Sequence, residues 1–450
     1  MLIEELRSKK IIVLGFGEEG KDNYLALRKL FPEQVLAVAD RKRLDDFAVG
    51  EQKILKTDRK IRLHLGPDYL KALRDYEVII KTPGIPSSAL KPFLAKGSRV
   101  ITQTEIFFAN FQGKIIGVTG TKGKGTTSAL IFNILQIAGF DTKLVGNIGQ
   151  PVFQLLLRAK PNQIFVYELS SHQLQNLRFS PWVAVFLNIF PDHLEYYKNF
   201  QNYQKAKESI TAHQSSNDFL IYNSDDKVVR EIAQKSRVQK IAFNKKTTNQ
   251  VLRIIQRKDI PLRGDFNLMN IAAAYLVAKI LGVGESLIKK GIRSFRPLPH
   301  RLEFAGRYRG IEFYDDSMAT VPQTTEVDIK ALGPRLTTIM LGGSSKGEID
   351  FSSLAMKVVQ SHIKTVILFP DTGQAIWRAI ERASKIRKKR PPQSFPALSM
   401  QEAIEIAYQQ TNKGELCLLA PASASFSLFR DYKERGDLFK KYAQRLGQKK

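Results

Sequence analysis

The sequence IIGVTGTKGKGTT at residues 115–127 decides the fold of this chain. Its apolar start predicts a buried strand, its glycines allow a tight loop, and SALIFNILQIA at 128–138 predicts a helix. Glycine lets backbone N–H groups point at an anion, and a helix N-terminus attracts negative charge. We therefore predict a phosphate-binding loop, with a flexible Gly/Lys surface loop as the alternative.

The loop departs from the Walker pattern at two positions. Val118 stands where that pattern has its first glycine, and Gly125 stands where a Ser or Thr follows Lys124. The remaining glycine and lysine spacing fits, with two hydroxyls just downstream. The predicted phosphate-binding residues are Gly120, Thr121, Lys122, Gly123, Lys124, Gly125, Thr126 and Thr127.

Length and composition place the chain among globular proteins. Its 450 residues are 43% hydrophobic and 25% charged, which predicts two to four domains. Cys417 is the single cysteine, so an intramolecular disulfide is excluded. We see no signal peptide and no apolar run long enough for a membrane span, and we expect a monomer in the cytoplasm.

The net charge of +27 suggests nucleic acid as a possible partner. The basic residues are spread along the chain, however, and the dense run KIRKKR at 385–390 is interpreted as a solvated loop. No nucleic-acid-binding motif is present. General basicity and anionic substrates explain the charge better, so no nucleic-acid partner is expected.

The first 110 residues predict alternating strands and helices. The strand at 9–14 leads into GFGEEG at 15–20, the strand at 35–39 ends at Asp40, and the strand at 77–81 precedes TPG at 82–84. Such a loop fits a dinucleotide, another nucleoside diphosphate, or simply a tight βα turn. The alternative interpretation of TPG is a plain Pro-Gly turn. Because ligands bind at carboxyl ends of parallel strands, the candidates are Gly15, Phe16, Gly17, Asp40, Arg41, Thr82, Pro83 and Gly84.

The central part predicts a mostly parallel sheet covered by helices. Strands are predicted at 115–119, 142–145, 163–169, 183–188, 219–222 and 240–243. Polar clusters follow three of them, at 146–149, 168–173 and 188–193. Each cluster alone could consist of turn and cap residues. Their coincidence near a phosphate loop favours a site, in which Glu168 is well placed to hold Mg²⁺.

Two further segments carry polar residues on predicted helices. The helix at 203–207 (YQKAK) is a lysine-rich solvated face in the simplest interpretation. Asn267 and Asn270 lie one turn apart at the start of a long Ala-rich helix. These two asparagines either cap that helix or contact a purine edge.

The last part predicts a third αβ unit. A hairpin is expected at 303–309 and 311–314, with strands at 336–341, 365–369 and 416–419. The predicted fold class is α/β with three domains. They are a Rossmann-like N-terminal domain, a central P-loop ATPase-type domain with a parallel sheet, and a Rossmann-like C-terminal domain, at 1–110, 111–299 and 300–450.

A series of motifs in fixed order resembles the Mur ligases, the ATP-dependent amide-bond ligases of peptidoglycan precursor synthesis. The resemblance covers essentially the whole chain. Within the family it is greatest to the members that add D-glutamate. The motifs are GTKGK at 120–124, GNIG at 146–149, ELSSHQ at 168–173, PDH at 191–193, YQKAK at 203–207, NLMN at 267–270 and LPHR at 298–301.

The resemblance implies an ATP-dependent ligase that joins D-glutamate to UDP-N-acetylmuramoyl-L-alanine with ATP and Mg²⁺. The first domain would bind the UDP moiety, with Asn147 also contacting nucleotide or substrate. The second would bind ATP, and the third the incoming amino acid. ATP contacts outside the loop would be Asn267, Asn270, Arg301 and Asp316, and D-glutamate would be held by Thr320, Lys346, Ser425 and Tyr432.

The resemblance also implies a set of metal ligands and catalytic residues. Lys207 corresponds to the family lysine that carries a carbamate, a CO₂ adduct that turns a cation into an acidic ligand. The implied metal ligands are Thr126, Glu168, His193 and carbamylated Lys207, and the implied catalytic residues are Lys124, Lys207, His193, His300 and Arg301.

Three departures from the family pattern bear on this prediction. Gly125 removes a hydroxyl that usually reaches Mg²⁺, Met318 replaces a lysine usual in the D-glutamate-adding members, and Phe266 replaces a histidine. The alternatives are another Mur or folylpolyglutamate-type ligase, a dinucleotide-dependent oxidoreductase using residues 15–20, and a P-loop NTPase that binds nucleic acid.

Overall fold

A computed structural model of the chain describes residues 1–345 and 349–448. The chain forms two compact units, one of Met1–Arg257 with Met269–Ser294 and one of Lys258–Leu268 with Phe295–Lys450. The first unit contains two parallel sheets, and the second contains a mixed sheet. The predicted α/β class is confirmed, while the functional boundaries near residues 110 and 300 stay predictions.

The first sheet is parallel and has the strand order β3-β2-β1-β4-β5, which is the Rossmann order without its sixth strand. Its strands are β1 (Ile11–Leu14), β2 (Leu36–Asp40), β3 (Ile61–Leu65), β4 (Val78–Lys81) and β5 (Arg99–Ile101). The accompanying helices are α1 (Glu18–Leu30), α2 (Val49–Thr57), α3 (Ser87–Leu90) and α4 (Gln103–Asn110).

The second sheet is also parallel and has the order β11-β10-β9-β6-β8-β7. Its strands are β6 (Lys114–Thr119), β7 (Thr142–Gly146), β8 (Ile164–Glu168), β9 (Val183–Phe186), β10 (Phe219–Asn223) and β11 (Gln239–Phe243). The helices along this part of the chain are α5 (Lys124–Ile137), α6 (Phe153–Leu156), α7 (Ser171–Leu174), α8 (Leu194–Tyr197), α9 (Phe200–Glu208), α10 (Lys227–Lys235), α11 (Lys245–Ile254), α12 (Phe266–Ile280) and α13 (Glu285–Arg293).

The third sheet has the order β12-β13-β17-β14-β15-β16, and its first pair is the predicted antiparallel hairpin. Its strands are β12 (Glu303–Tyr308), β13 (Ile311–Asp315), β14 (Leu336–Gly343), β15 (Thr365–Asp371), β16 (Gln393–Pro396) and β17 (Leu416–Leu419). Its helices are α14 (Pro322–Leu332), α15 (Ser352–Gln360), α16 (Thr372–Arg387), α17 (Met400–Gln410) and α18 (Tyr432–Gln448).

Short 3₁₀ helices complete the secondary structure, at Ile3–Leu6, Leu44–Asp46, Tyr69–Asp75, Lys91–Phe93, Arg257–Asp259 and Gly333–Arg335. The run at 385–390 was expected to be a loop, but its first three residues form the last turn of α16. Positive side chains are favourable there because they face the negative end of the helix dipole. No described helix has both the length and the apolar character that a membrane crossing requires.

The central strands explain where the polar residues gather. β1 (IIVL), β4 (VIIK) and β8 (IFVYE) are buried along their whole length. A parallel strand covered on both faces has no room for polar side chains within it. Polar groups therefore collect in the loops that follow the strands, at the carboxyl edges of the sheets.

Candidate active site

The phosphate loop joins β6 to α5, as predicted. Gly123 is the N-cap of α5 and has φ = 87°, in the left-handed region that favours glycine. The helix therefore begins at Lys124 rather than at the predicted residue 128. A Cβ on Gly123 would lie 2.4 Å from Oδ1 of Asn270, so the position is also too crowded for a larger residue.

Asn188 holds this loop in shape from the end of β9. Its Oδ1 accepts hydrogen bonds from the backbone N–H groups of Thr121 (3.1 Å) and Lys122 (2.9 Å). Its Nδ2 donates to the carbonyl oxygen of Lys122 at 3.0 Å. The Thr121 hydroxyl in turn donates to the carbonyl oxygen of Phe190 at 3.2 Å. Asn188 is therefore a functional candidate. It belongs to the polar cluster at 188–193, but it was not among the predicted site residues.

Lys124 folds back over its own loop. Its Nζ donates to the carbonyl oxygens of Gly120 (2.9 Å) and Thr121 (3.1 Å). The ammonium is thereby kept beside the loop, where it would face an incoming phosphate. The hydroxyls after it differ in surroundings: Thr126 retains 8% exposure, whereas Thr127 is fully buried and its Oγ1 has no hydrogen-bond partner among the described residues.

Only one of the two carboxylate oxygens of Glu168, at the end of β8, has a hydrogen-bond partner among the described residues. Its Oε1 accepts from Nδ2 of Asn147 at 3.2 Å. Its Oε2 is buried and has no hydrogen-bond partner in the described structure. A buried oxygen left in this way is costly unless a cation or water satisfies it. The carboxylate thus fits the predicted metal ligand, since Mg²⁺ prefers oxygen donors.

Lys207 is a buried amine under the phosphate loop. It projects from α9, is 1% exposed, and donates from Nζ to the carbonyl oxygen of Gly120 at 2.8 Å. Burial holds its pKa well below the usual lysine range, and repulsion from Lys124 lowers the pKa further. A solvated helix face, the simplest interpretation of this segment, is therefore wrong at Lys207, and also at Tyr203, which is 1% exposed.

Two histidines, His172 after β8 and His193 after β9, pack edge to face. His193 adopts φ = 53° before α8, and its ring centroid lies 5.1 Å from that of His172. His172 also packs against Tyr196 and Tyr197. Burial, together with the nearby His193, lowers the pKa of His172 to about 4. His172 was part of a quoted motif but was not predicted as a site residue.

The glycine loop after β1 is packed against TPG at the end of β4. Gly15 has φ = 88°, and a Cβ there would lie 2.4 Å from Oγ1 of Thr82. Phe16 donates its backbone N–H to Oδ2 of Asp40 at 2.7 Å. Gly17 is the N-cap of α1, and Arg41 is exposed just after β2. The three predicted strand ends therefore lie together, with Asp40 already used to brace the loop.

A cleft of about 530 Å³ collects the strand ends of both sheets in the first unit. Of the predicted residues it brings together Pro83, Gly84, Lys124, Asn147, His193 and Lys207. Neither Asp40 nor Arg41 belongs to the described lining. The remaining lining residues are Glu18, Glu19, Gln103, Gly146, Gly149, Pro151, Ser170, Ser171, His172, Gln173, Asp192 and Tyr203.

The second unit contains a buried charged cluster. His300 is 5% exposed, and its Nδ1 lies 2.7 Å from Oδ2 of Asp315. The neighbouring Asp316 is also buried, and burial raises its pKa against the opposing effect of Arg301. The structure thus brings Arg301 within electrostatic range of Asp316, both predicted ATP contacts, and places His300 in an internal network. Asn267 donates from Nδ2 to the carbonyl oxygen of Arg263 at 2.6 Å.

Thr320 and Ser425, two of the predicted D-glutamate residues, lie in loops held by Arg435. This residue is 0% exposed and donates to the carbonyl oxygens of Ser317 (2.8 Å), Ser423 (3.3 Å) and Ala424 (3.3 Å). Thr320 and Ser425 follow these anchored positions, and Tyr432 begins α18. Lys346 lies outside the described residues. Arg435 was not predicted, because its role depends on contacts distant in sequence.

Comparison with known proteins identifies relatives along almost the whole chain. The Mur ligase middle domain model matches residues 118–278. The UDP-N-acetylmuramoylalanine–D-glutamate ligase of Geobacillus kaustophilus is 32% identical, over 96% of this chain and 96% of that protein. The protein of the same name from Alkaliphilus metalliredigens is also 32% identical, over 98% and 99%.

Solved structures show the same fold. The UDP-N-acetylmuramate–alanine ligase of Thermotoga maritima has a TM-score of 0.60 at 16% identity, over 98% of this chain and 100% of that one. The MurF ligase of Thermotoga maritima, in complex with ADP, has a TM-score of 0.59 at 16% identity, over 99% and 98%. At such low identity these likenesses concern the fold alone.

Proposed function

Because the chain belongs to the Mur ligase family, we propose that it joins D-glutamate to UDP-N-acetylmuramoyl-L-alanine with consumption of ATP. The observation that carries this proposal is the convergence of three features in one cleft. Lys124 of the glycine phosphate loop and the buried Lys207 line this cleft, and so does Asn147, which donates to the buried carboxylate of Glu168. The relatives that match almost the full length have names that specify the same reaction.

In this proposal the first unit binds both phosphate-containing substrates. The loop from Gly120 to Thr127 and the ammonium of Lys124 would hold the ATP phosphates. Asn270 would contact the adenosine, and the loops at 15–17, 40–41 and 82–84 would bind the UDP moiety. Asn147, which lines the cleft, would contact the muramoyl substrate.

The residues present also fit Mg²⁺, chiefly because Oε2 of Glu168 is buried without a partner. Glu168, His193 and the hydroxyl of Thr126 would hold the ion, together with Lys207 once it is carbamylated. A neutral amine reacts with CO₂ and an ammonium does not, so the lowered pKa of Lys207 favours the carbamate. The ion would neutralise negative charge on the phosphates.

Two displacements make up the reaction. A carboxylate oxygen of the muramoyl-alanine substrate bonds to the γ-phosphorus, and the bond from that phosphorus to the β–γ bridging oxygen breaks to release ADP. The D-glutamate nitrogen then bonds to the acyl carbon, the carbon–oxygen bond to phosphate breaks, and the amine gives up a proton. Lys124 and Arg301 would offset the repulsion between the two anions of the first step.

The second unit would supply the amino-acid site. Thr320, Ser425 and Tyr432, with Lys346, would bind the D-glutamate carboxylates, and Asn267, Arg301 and Asp316 would contact ATP. His300, buried against Asp315, would order the segment that carries Arg301. Met318 cannot pair with a carboxylate, so selection of D-glutamate would depend on the remaining contacts.

An assay of phosphate release tests the proposal. The protein is incubated with ATP, Mg²⁺, UDP-N-acetylmuramoyl-L-alanine and one of a panel of amino acids that includes D-glutamate, L-alanine and diaminopimelate. We expect turnover with D-glutamate well above the others. Equal rates across the panel would refute the specificity, and an absence of ATP consumption with every muramoyl substrate would refute the ligase function.

A further inference from the structure

Glu19 is an acidic residue inside a site proposed for an anionic substrate. It lies in the first turn of α1 and lines the cleft with Glu18, Pro83 and Gly84. Its Oε1 is buried and has no hydrogen-bond partner in the described structure. The carboxyl group is therefore held at the cleft with one oxygen unsatisfied, which is unfavourable unless a ligand completes it.

The surroundings of Glu19 favour its neutral form. Burial raises its pKa to about 8, against the opposing effect of Lys81 and with a smaller contribution from Asp22 in the same direction as burial. Lys81 directs its Nζ to the carbonyl oxygens of Ile85 (3.1 Å) and Thr82 (3.4 Å). The other titratable groups that face this corner are Asp22, Tyr167, Glu18 and His172.

The backbone beside Glu19 suits an anion. Residues 17–20 turn into α1, whose first N–H groups have no acceptor within the helix. Such a turn after a parallel strand suits a diphosphate. An ionised Glu19 would repel that ligand, whereas a protonated carboxyl group would be an additional hydrogen-bond donor to it.

We propose that Glu19 is a substrate-recognition residue that meets the diphosphate of the UDP-sugar as a neutral carboxylic acid and donates its proton to a phosphate oxygen. This inference rests on the proposed function of the cleft. Binding is then coupled to protonation of Glu19. The affinity for the UDP-sugar falls once Glu19 ionises in the free protein.

Calorimetric titration of the full-length protein with UDP-N-acetylmuramoyl-L-alanine tests this coupling. The wild type and Glu19→Gln are compared at pH 7, 8 and 9, so that titration of the ligand itself cancels in the ratio of their Kd values. The ratio of wild-type to variant Kd is expected to rise about 10-fold from pH 7 to pH 9, as a group with a pKa near 8 requires. A ratio that stays constant overturns the inference.

Two further measurements test the coupling, and the second of them separates Glu19 from Lys81, whose pKa burial lowers to about 8. Titration of the wild type at pH 8 in buffers of different ionisation enthalpy should show uptake of about half a proton per ligand, and this needs no variant. The Lys81→Met variant should keep the pH dependence and shift it to higher pH. If Lys81→Met abolishes the dependence while Glu19→Gln keeps it, Lys81 is the titrating group and the inference fails.

The outcome also distinguishes this inference from the proposed function. A wild type that ligates D-glutamate and binds the UDP-sugar without proton uptake keeps the function and removes the role of Glu19. A wild type that neither binds the UDP-sugar nor consumes ATP refutes both.

Discussion

Nζ of Lys207 lies 2.8 Å from the carbonyl oxygen of Gly120, so a helix far along the chain is tied to the phosphate loop. The same nitrogen is within electrostatic range of Lys124, Asp192 and Glu168. A buried lysine between a second cation and carboxylates serves poorly as a plain packing residue. Its position is suited to chemistry that converts the amine into an anion.

Replacement of Lys207 tests this interpretation. We expect Lys207→Ala to lower kcat at least about 100-fold, because a ligand of the ion that offsets phosphate charge is lost. Acetate or formate should restore part of the activity by occupying the space of the carbamate. Lys205→Ala, on the exposed side of the same helix, should change kcat less than about twofold. Loss of activity without rescue by any short acid would contradict the carbamate.

Substitution of two glycines at opposite ends of α5 distinguishes the effect of backbone strain from the effect of crowding at the phosphate loop. Gly123 and Gly139 both have φ = 87°, but a Cβ at Gly139 would meet nothing within 4 Å. Each Gly→Ala substitution should therefore cost about 1–2 kcal/mol in unfolding free energy. Gly123→Ala should in addition weaken ATP binding about 10-fold or more, since its Cβ displaces Asn270.

Equilibrium binding of ATP and urea denaturation of both variants distinguish these effects. Equal losses of ATP affinity at the two positions would show that general destabilisation of α5, and not the packing of the loop, controls nucleotide binding.

The sequence could predict the central strands because their composition is extreme. Runs such as IIVL in β1 and IFVYE in β8 are buried throughout, and a short apolar run between turn signals predicts such a strand well. The strands that were not predicted are β3, β5 and β16, all at sheet edges. β3 (IRLHL) carries Arg62 and His64, polar side chains that an edge tolerates and a central strand does not.

The candidate site likewise contains residues that the sequence could predict and residues that it could not. Residues in contiguous motifs, such as Lys124 and Glu168, could be predicted because loop glycines and strand ends signal them locally. The sequence did not predict roles for Asn188, Glu19 and Arg435. Their roles depend on partners distant in sequence or on burial, and a local sequence pattern shows neither of these properties. Lys207 was predicted from a family motif, but its burial under Gly120 could be learned from the structure alone.

Arg435 is expected to control the affinity for D-glutamate without touching it. Its guanidinium anchors Ser317, Ser423 and Ala424, which precede the predicted D-glutamate residues Thr320 and Ser425. Arg435→Met should raise KM for D-glutamate about 10-fold or more and leave the Kd for the UDP-sugar unchanged. Arg445→Met, on the exposed part of the same helix, should alter neither.

The buried carbonyl oxygens that Arg435 satisfies should also make the Met variant less stable by about 3 kcal/mol. Steady-state kinetics with D-glutamate as the varied substrate, at a temperature where both variants are folded, checks the prediction. A Met variant with normal KM would show that the loops keep their shape without Arg435.

Glu415 provides a test of pH-dependent stability in the second unit. Although its burial acts in the opposite direction, hydrogen bonds from Lys364 (2.6 Å), Asn412 (3.0 Å) and Thr337 (2.8 Å) lower its pKa from 4.5 to about 2. Because the folded-state pKa lies below the unfolded one, the ionised carboxylate stabilises the fold above about pH 4.5. That contribution is lost as the pH falls towards 2.

Glu415→Gln should therefore lower the free energy of unfolding by about 2 kcal/mol at pH 7, after allowance for solvent around Lys364. The difference from wild type should shrink by roughly 40% at pH 3.5. Urea denaturation at both pH values measures it, with Glu405→Gln on the exposed face of α17 as the control. If the difference is the same at both pH values, the loss comes from altered packing, since an ionisation effect of Glu415 must decline below pH 4.5.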